Sequence, residues 1–294
     1  MGQMSLWGQE KIFTFHAFHA FHTFTDNKPD KKFMAMFVGF MDGDGYFDVG
    51  EQKQYNKKTK APTRSTIRIR LVCNVKSRDL ALLEYFVEVL KVGKIDTMSG
   101  DRDQVRVIFS KKDLITTILP LIKEYNLEFL TSQRLKQFAL VNYILDNTIT
   151  NWDNVNFKES PFVVKSVSEL AKLDYFCDWL IGFTIAEGSF GFKARGDAFF
   201  QLKQSGEDNV DLLKAASFVI TGKHSTASFK VDSFGGYQLA LSSGEDMEHV
   251  ISFFSSGSHH ALYGYKLEQY QIFISGLRSS KRYGFIGNKF IEQV

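Results

Sequence analysis

Cysteine, proline and long hydrophobic runs are scarce in this sequence. The 294 residues include only two cysteines, Cys73 and Cys177, which lie too far apart in the chain to have metal-ligand spacing. We expect both to be reduced core residues of a protein in a reducing compartment. Four prolines and a 23% charged fraction argue against extensive disorder. No apolar run reaches the roughly 20 residues that span a bilayer, so no membrane segment is predicted.

Charge is nearly balanced as well, with a net charge of +3. This balance alone does not indicate a nucleic-acid partner, but the distribution of the charges is informative, because a basic cluster follows closely after a group of acids. A metal-dependent enzyme that acts on a polyanion needs both kinds of surface. The acids are Asp42, Asp44 and Asp48, and the basic residues are those of KKTK at 57–60, Arg64, Arg68 and Arg70.

The strongest pattern in the chain is an internal repeat. FVGFMDGDGYFDVG at residues 37–50 and LIGFTIAEGSFGFK at residues 180–193 share two apolar residues, Gly-Phe, and an acid followed by glycine. Asp44 and Glu187 occupy the acidic position, and similarly spaced strand and helix patterns follow each copy. We therefore predict an N-terminal extension (1–30), a first repeat (31–145), a linker (146–172) and a second repeat (173–294).

Each copy is predicted to fold as helix, hairpin, helix, hairpin, helix, which is an α+β arrangement. The first helix of each copy should follow an aspartate whose side chain accepts from free backbone N–H groups, Asp30 in one copy and Asp174 in the other. Side chains alternate between the two faces of a strand. One face should therefore carry Ile67, Ile69 and Leu71, and the other Thr66, Arg68, Arg70 and Asn74.

Small residues on the two motif helices predict how the copies meet. Residues four apart lie on one face of a helix, and helices with small residues on that face can approach each other backbone to backbone. The helix C-termini should then converge, which would place the two acids side by side. The small residues are Gly39 and Gly43 in the first helix and Gly182 and Ala186 in the second.

Two carboxylates at two helix C-termini repel each other, and each helix end adds about half a negative charge. A shared proton would relieve this repulsion. A hard divalent cation would relieve it better, since Mg²⁺ prefers carboxylate and carbonyl oxygens and keeps positions open for water and phosphate. One Gly-Asp-Gly alone would indicate a turn. An EF-hand loop is excluded, because Tyr46, Phe47 and Lys53 stand where a ligand, a glycine and a glutamate are required.

At these residues the sequence resembles the LAGLIDADG homing endonucleases. FVGFMDGDG (37–45) and LIGFTIAEG (180–188) are similar to the two motifs of a single-chain member, and the resemblance covers about residues 31–290. It implies two pseudo-symmetric αββαββα repeats that form a saddle of antiparallel β-sheets, with the two motif helices packed at the repeat interface. It also implies Mg²⁺-dependent, site-specific cutting of both strands of a long pseudo-palindromic DNA by a monomer.

The resemblance also indicates which positions serve the metal. Asp44 and Glu187 match the metal-binding acids, and the adjoining backbone oxygens of Gly43 and Ala186 are added as predicted ligands. Ca²⁺ is expected to bind this site without supporting cleavage. Mg²⁺ is therefore the predicted cofactor.

Four further residues match positions near the scissile phosphates. Asn74 and Gln204 match a polar position, and Lys266 matches a basic residue that polarises water or steadies the phosphate. Arg134 takes the place of Lys266 in the first half. Arginine is a poorer proton relay than lysine but a good phosphate clamp, so the two halves are predicted to be catalytically unequal.

DNA contacts are predicted for polar side chains on the outward face of the strands. Arg and Lys suit guanine edges or phosphates, and Gln suits adenine. The first half offers Asp48, Gln52, Arg64, Arg68 and Arg70, and the second half offers Lys193, Arg195, Gln201, Lys203, Lys230 and Gln238.

The two motif copies differ at the position two residues before the acid. Ile185 replaces the acid that Asp42 supplies in the first copy, so this position is predicted to serve packing or capping rather than catalysis.

Two other functions stay open as alternatives. One is a group I intron maturase, which would bind intron RNA, and the other is a DNA-binding protein that has lost cleavage. The resemblance implies an intron of an organelle genome, hence a mitochondrial protein, and no required protein partner.

Overall fold

The computed structural model describes residues 28–97, 103–158, 163–223, 230–231 and 235–289. The Phe/His-rich part of the predicted N-terminal extension lies outside these residues. The first repeat contains α1 (Lys31–Gly43), β1 (Gly45–Tyr55), β2 (Pro62–Val75), α2 (Leu80–Leu90), β3 (Lys94–Thr97), β4 (Val105–Ser110), α3 (Lys111–Asp113), α4 (Leu119–Glu124) and α5 (Ser132–Asp146).

The second repeat follows a short helix, α6 (Val167–Ala171), and has the same order. A π-helical turn at Leu114–Ile118 joins α3 to α4 in the first repeat, and α9 takes the corresponding place in the second. These helices, together with α11, are additions to the predicted order. The elements are α7 (Phe176–Glu187), β5 (Gly188–Phe192), β6 (Ala198–Ser205), α8 (Val210–Thr221), β7 (Lys230–Val231), β8 (Gly236–Leu241), α9 (Gly244–Phe254), α10 (Gly264–Ser279) and α11 (Gly284–Lys289).

Each repeat builds one four-stranded antiparallel sheet, ordered β1-β2-β4-β3 in the first and β5-β6-β8-β7 in the second. Alternation in β2 is as predicted: Ile67, Ile69 and Leu71 are buried, whereas Arg68 and Arg70 on the opposite face stay partly exposed. Because apolar side chains stabilise the fold only when they leave water, the helices cover one face of each sheet. The chain is therefore an α+β protein of two pseudo-symmetric repeats around a central pair of motif helices.

The start of α1 is as predicted, but the start of α7 is not. The Asp30 side chain accepts from the Phe33 amide at 2.7 Å, so Asp30 caps α1. In α7 the N-cap is Tyr175, which has no side-chain cap bond, and Asp174 instead forms an ion pair with Lys31 at 2.6 Å. The prediction for Asp174 is wrong, because the chain turns once more before the helix begins.

Both cysteines are free thiols, as predicted. Cys73 is fully buried in β2, and burial raises the pKa of its thiol well above the ordinary value. No helix within the described ranges is both long and apolar enough to cross a membrane.

Candidate active site

The motif helices α1 and α7 touch backbone to backbone at two glycines. A Cβ atom added at Gly39 would lie 1.9 Å from the carbonyl oxygen of Trp179, and one added at Gly182 would lie 1.8 Å from that of Met36. Any side chain at either position would separate the helices. The expected close approach therefore occurs, and it fixes the distance between the two helix C-termini.

The acids lie where these helices end. Asp44 is the C-cap residue of α1, and its N–H donates to the carbonyl of Phe40 at 3.0 Å. Glu187 is the last residue of α7. A Cβ added at Gly43 would lie 2.4 Å from the Cβ of Ala186 and 3.5 Å from Oε1 of Glu187. The two carboxylates are thus neighbours, and each sits at the negative end of a helix.

Burial raises the proton affinity of both acids, and the neighbouring negative charges raise that of Asp44 further. Burial, and then the charges of Glu187 and Asp79, raise the pKa of Asp44 to about 7, although Lys266 and Arg134 act in the opposite direction. Burial also raises the pKa of Glu187, against the same two basic residues. A pair of carboxylates held in this state favours either a proton or a cation.

A divalent metal fits this pair of acids. Within the described ranges no group of three or more His, Cys, Asp and Glu side chains is arranged to hold a metal. Asp44 and Glu187 are the two acids that meet at the helix ends. Mg²⁺ is commonly held by one or two carboxylates together with waters and phosphate oxygens. Gly43 and Ala186 directly precede the acids and remain predicted backbone ligands.

A cleft of about 250 Å³ opens beside Asp44. It combines acidic, basic and amide side chains from both repeats, as a site for a charged ligand requires. Lys266 reaches it from α10, whereas Arg134 is absent from its lining. The lining residues are Phe40, Asp44, Asn74, Val75, Lys76, Arg78, Asp79, Gln104, Ile185, Ala186, Tyr265 and Lys266.

The two basic residues that the sequence equated have different surroundings. Lys266 donates from Nζ to the Gly188 carbonyl at 2.5 Å and to Gln269 at 3.3 Å, and burial lowers its pKa against the charges of Asp79 and Asp44. Arg134 is 6% exposed and donates from Nε to the carbonyl of Met41 at 3.2 Å. The burial of Arg134 does not favour the predicted contact with a phosphate. Its guanidinium instead stabilises the end of α1.

Strand register corrects the equivalence of Asn74 and Gln204. In β2, Asn74 follows Cys73, which lies opposite Gly45, whereas in β6 Leu202 lies opposite Gly188. The residue equivalent to Asn74 is therefore Lys203. Spacing to the next helix suggested Gln204, but α8 begins eight residues after Leu202, whereas α2 begins seven residues after Cys73. Asn74 lines the cleft and donates to Tyr46 at 3.3 Å.

In the first sheet the predicted DNA-contacting residues share the face that the helices leave uncovered. Asp48 lies opposite Arg70, and Gln52 lies opposite Thr66. Asp48 accepts hydrogen bonds from both Arg68 and Arg70, which lower its pKa against the effect of its own burial. Arg64 is exposed near the tip of the long β1–β2 hairpin.

The second hairpin is shorter, and two predicted strand residues are misplaced. Lys193 and Arg195 lie in the turn between β5 and β6, where the Lys193 amide donates to Asp197 and Gly196 takes a φ of +88°. Arg195 pairs with Asp197. The polar residues that do share a strand row are Lys203, Gln238 and Lys230, the last described by its backbone register alone, and Gln201 lies on the same face of β6.

Asp42, which the sequence placed outside catalysis, is a buried capping residue. It accepts from the Leu130 amide at 2.8 Å, the Thr131 amide at 3.1 Å and the Trp179 indole at 2.8 Å. Burial raises its pKa to about 6, although these hydrogen bonds act in the opposite direction. Asp42 thus ties the start of α5, and with it Arg134, to both motif helices. Ile185, its counterpart, is 6% exposed and apolar.

Replacing Asp42 with alanine is expected to lower the free energy of unfolding by about 2 kcal/mol, because buried backbone and indole donors lose their acceptor. Urea unfolding measures the loss. Asp42→Asn, which retains an acceptor oxygen, should lose less. Equal losses for the two variants would contradict this role.

Asp79 was not anticipated from the sequence. It immediately precedes α2, a position typical of a helix cap. Its side chain nevertheless makes no capping hydrogen bond, and both Asp79 and Asp44 line the cleft. Its counterpart in the second repeat, Asn209, is buried and accepts from the Ser132 amide at 2.9 Å. Only tertiary structure distinguishes the two, because both immediately precede a helix.

Comparison with known proteins agrees with this architecture. A family model described as LAGLIDADG endonuclease matches residues 37–145. The Probable intron-encoded endonuclease aI3 of Dictyostelium discoideum is 25% identical over 171 residues, which are 56% of this chain and 66% of that protein. The match thus spans slightly less than two thirds of that relative.

Two solved structures are similar over most of this chain. The meganuclease I-SmaMI, bound to uncleaved DNA in the presence of calcium ions, has a TM-score of 0.66 and 20% identity, covering 90% of this chain and 97% of that one. The LAGLIDADG meganuclease I-CpaMI, bound to uncleaved DNA, has a TM-score of 0.64 and 17% identity, covering 88% and 96%. At these identities the likeness concerns the fold. The first repeat therefore matches the LAGLIDADG endonuclease family model, and both repeats together have the fold of LAGLIDADG meganucleases.

Proposed function

We propose that the protein is a site-specific endonuclease that hydrolyses both strands of a long, pseudo-palindromic DNA with Mg²⁺. The observation that carries this proposal is the side-by-side placement of Asp44 and Glu187 at the ends of α1 and α7. A metal bound there would act as a Lewis acid toward a phosphate and lower the pKa of a water. Ca²⁺ is proposed to occupy the same site without supporting cleavage.

The sheets supply the DNA-binding surface in this proposal. Each carries polar side chains on its uncovered face, and the acids lie where the two sheets begin. A pair of antiparallel strands can enter a major groove, where base edges are read. The two solved structures compared above, of I-SmaMI and I-CpaMI, are bound to DNA, which supports DNA as the partner of this chain.

Lys266 is proposed to donate from Nζ to a phosphate oxygen or an attacking water. Its hydrogen bonds to Gly188 and Gln269 fix the ammonium within the cleft that Asp44 lines. Because burial lowers its pKa, its proton is more readily released than that of an exposed lysine. Asn74 is proposed to orient the phosphate on the same side, and Lys203, which the strand register makes equivalent to it, on the other.

The experiment is a cleavage assay with purified protein and a DNA fragment that contains its own intron-insertion site without the intron. Cutting of both strands is expected with Mg²⁺ and not with EDTA, and binding without cutting is expected with Ca²⁺. Tight binding without cutting in Mg²⁺ would contradict the nuclease and favour a binding protein. Preferential binding of the intron RNA would favour a maturase.

Replacing each of the two basic residues with methionine distinguishes an effect on the cutting rate from an effect on the free energy of unfolding. Lys266→Met is expected to lower the cutting rate by about 100-fold, the scale of one lost acid–base group, with a smaller loss of unfolding free energy than Arg134→Met, because Lys266 is the less buried of the two. Arg134→Met should instead lower the free energy of unfolding by about 2 kcal/mol, because the Met41 carbonyl loses a buried donor. Single-turnover cutting and urea titration measure the two effects. The opposite assignment of the effects would refute these roles.

A monomer without a required protein partner is also proposed, because the second repeat occupies the place that a second copy would fill. The boundaries at 31–145, 146–172 and 173–294 belong to this proposal. So does a mitochondrial location, which is supported by the intron-encoded relative through the family resemblance. Size-exclusion chromatography with light scattering tests the oligomeric state.

A further inference from the structure

The strand registers make the two sheets comparable residue by residue. In the first sheet Gly45, the residue after Asp44, lies opposite Cys73. In the second sheet Gly188, the residue after Glu187, lies opposite Leu202. Residues equally distant from these two pairs therefore hold equivalent positions relative to the acids. This equivalence shows where the two uncovered faces differ chemically.

Three residues beyond Gly45, the first sheet carries an ion cluster. Nε of Arg68 lies 3.1 and 3.0 Å from the two carboxylate oxygens of Asp48, and Nε of Arg70 lies 3.0 Å from Oδ2. These bonds use Nε and Nη2 of each arginine, and a guanidinium has five N–H groups. Asp48 therefore holds both arginines in place while Nη1 stays available to a second acceptor.

The equivalent pair in the second sheet is Gly191 and Phe199. Ala198 and Phe200 are fully buried against the helices, so alternation directs Phe199 to the uncovered face. A Cβ added at Gly191 would lie 2.9 Å from Cζ of Phe199, so the phenyl ring covers this glycine. An apolar ring therefore stands where the first sheet has Arg70.

Uncharged residues continue this surface along β6. Gln201 is the next residue on the same face, and it lies between Ser189 on β5 and Ala240 on β8. A phenyl ring on a DNA-facing surface has one suitable partner on a base edge, the 5-methyl group of thymine, and a glutamine amide suits adenine N6 and N7. Arginine suits guanine O6 and N7.

We propose that the two sheets read different bases: Phe199 contacts a thymine methyl and Gln201 an adenine in one half-site, while Arg68 and Arg70 contact guanine in the other. This inference rests on the proposed DNA-cutting function. Three residues of strand span about 10 Å, which equals about three base pairs at 3.4 Å each. The thymine and guanine contacts therefore fall about three base pairs to either side of the acids, and the target is asymmetric in composition.

The test is selection of DNA sites from a randomised duplex library by the full chain in Ca²⁺, followed by sequencing. The wild type should enrich thymine in one half-site and guanine in the other. Phe199→Ala should remove the thymine preference alone, and Phe199→Leu, which retains an apolar contact, should preserve it. Arg70→Ala, on the other sheet, should weaken the guanine preference alone. Circular dichroism verifies that each variant is folded.

A second measurement removes only the methyl group. Replacing the selected thymine with deoxyuridine should weaken wild-type binding by about threefold to fourfold, the effect of one buried methyl, and should leave Phe199→Ala binding unchanged. Equal wild-type affinity for both duplexes, or an unchanged selected site for Phe199→Ala, would overturn the inference while leaving the nuclease intact. Failure of the wild type to enrich any site would overturn the proposed function itself.

Discussion

Replacing Glu187 with glutamine is expected to lower the cutting rate by about a thousandfold or more, the scale of losing one essential electrostatic group at a reaction centre. The amide keeps the shape of the side chain but contributes no charge to a metal shared with Asp44. Single-turnover cutting in Mg²⁺ measures this loss. DNA affinity in Ca²⁺ should change far less, because the sheets supply most of the contacts.

Glu88→Gln is the matched control, since Glu88 is an exposed helical glutamate far from the acids in sequence. It should cut at the wild-type rate. Survival of cutting in Glu187→Gln would show that the metal site lies elsewhere. Loss of binding together with cutting would instead indicate that the variant disturbs the contact between the motif helices.

The same substitution should change how stability depends on pH. The pKa of Asp44 rises from 3.8 to about 7 in the folded chain, because of its burial and the charge of Glu187. A carboxyl with a raised pKa contributes stability below its unfolded value and loses it as the pH rises through the folded value. The metal-free protein should therefore become less stable between about pH 4 and 7. Asp42, with a pKa raised to about 6, acts in the same direction.

Glu187→Gln removes one source of this repulsion, so its stability should fall less over the same range. Urea unfolding in EDTA at pH 5 and pH 8 provides the comparison, and added Mg²⁺ should stabilise the wild type more at pH 8. A pH-independent stability in the wild type would contradict the crowding of charges at the helix ends.

Alanine at Gly182 is expected to lower the free energy of unfolding by about 3 kcal/mol or more, at the upper end for an overpacked core. Its Cβ would lie 1.8 Å from the Met36 carbonyl oxygen. A backbone atom cannot rotate away as the end of a side chain can, so the two helices would have to separate. Urea unfolding of the full chain measures the loss.

Gly257→Ala serves as the control, because a Cβ there meets no atom within 4 Å and the backbone φ is not positive. It should change the unfolding free energy by less than about 0.5 kcal/mol, as surface substitutions usually do. If Gly182→Ala were equally mild, the helices would not be in the backbone contact that brings the acids together.

Local sequence signals predicted a large part of this fold. The start of α1, the two faces of β2 and the position of the acids follow from a capping aspartate, apolar periodicity and small residues four apart. The repeat was decisive, since a Gly-Asp-Gly that occurs once indicates only a turn. These features depend on neighbours within a few residues, which a sequence displays directly.

The predictions that were wrong concern residues whose structural neighbours are distant in the sequence. Gln204 was misassigned because helix spacing was used where strand register decides, and one residue of register changes the face of a side chain. The alternation of polar residues predicts strand positions for Lys193 and Arg195, but the second hairpin is shorter than the first and both residues lie in its turn. The roles of Arg134 and Asp79 depend on burial and on the other repeat, which no local pattern contains.

The contact between α1 and α7 has a consequence for how such proteins diversify. At Gly39 and Gly182 the two helices meet through backbone atoms, whereas the uncovered sheet faces are built from separate side chains. Mutations on the sheets can therefore accumulate in one repeat without affecting the junction. A chimera that joins one repeat of this chain to a repeat of a relative should assemble wherever both glycines and the hydrogen bond between Trp179 and Asp42 are retained. Recombination between genes, rather than point mutation alone, would then be a direct route to new target sequences.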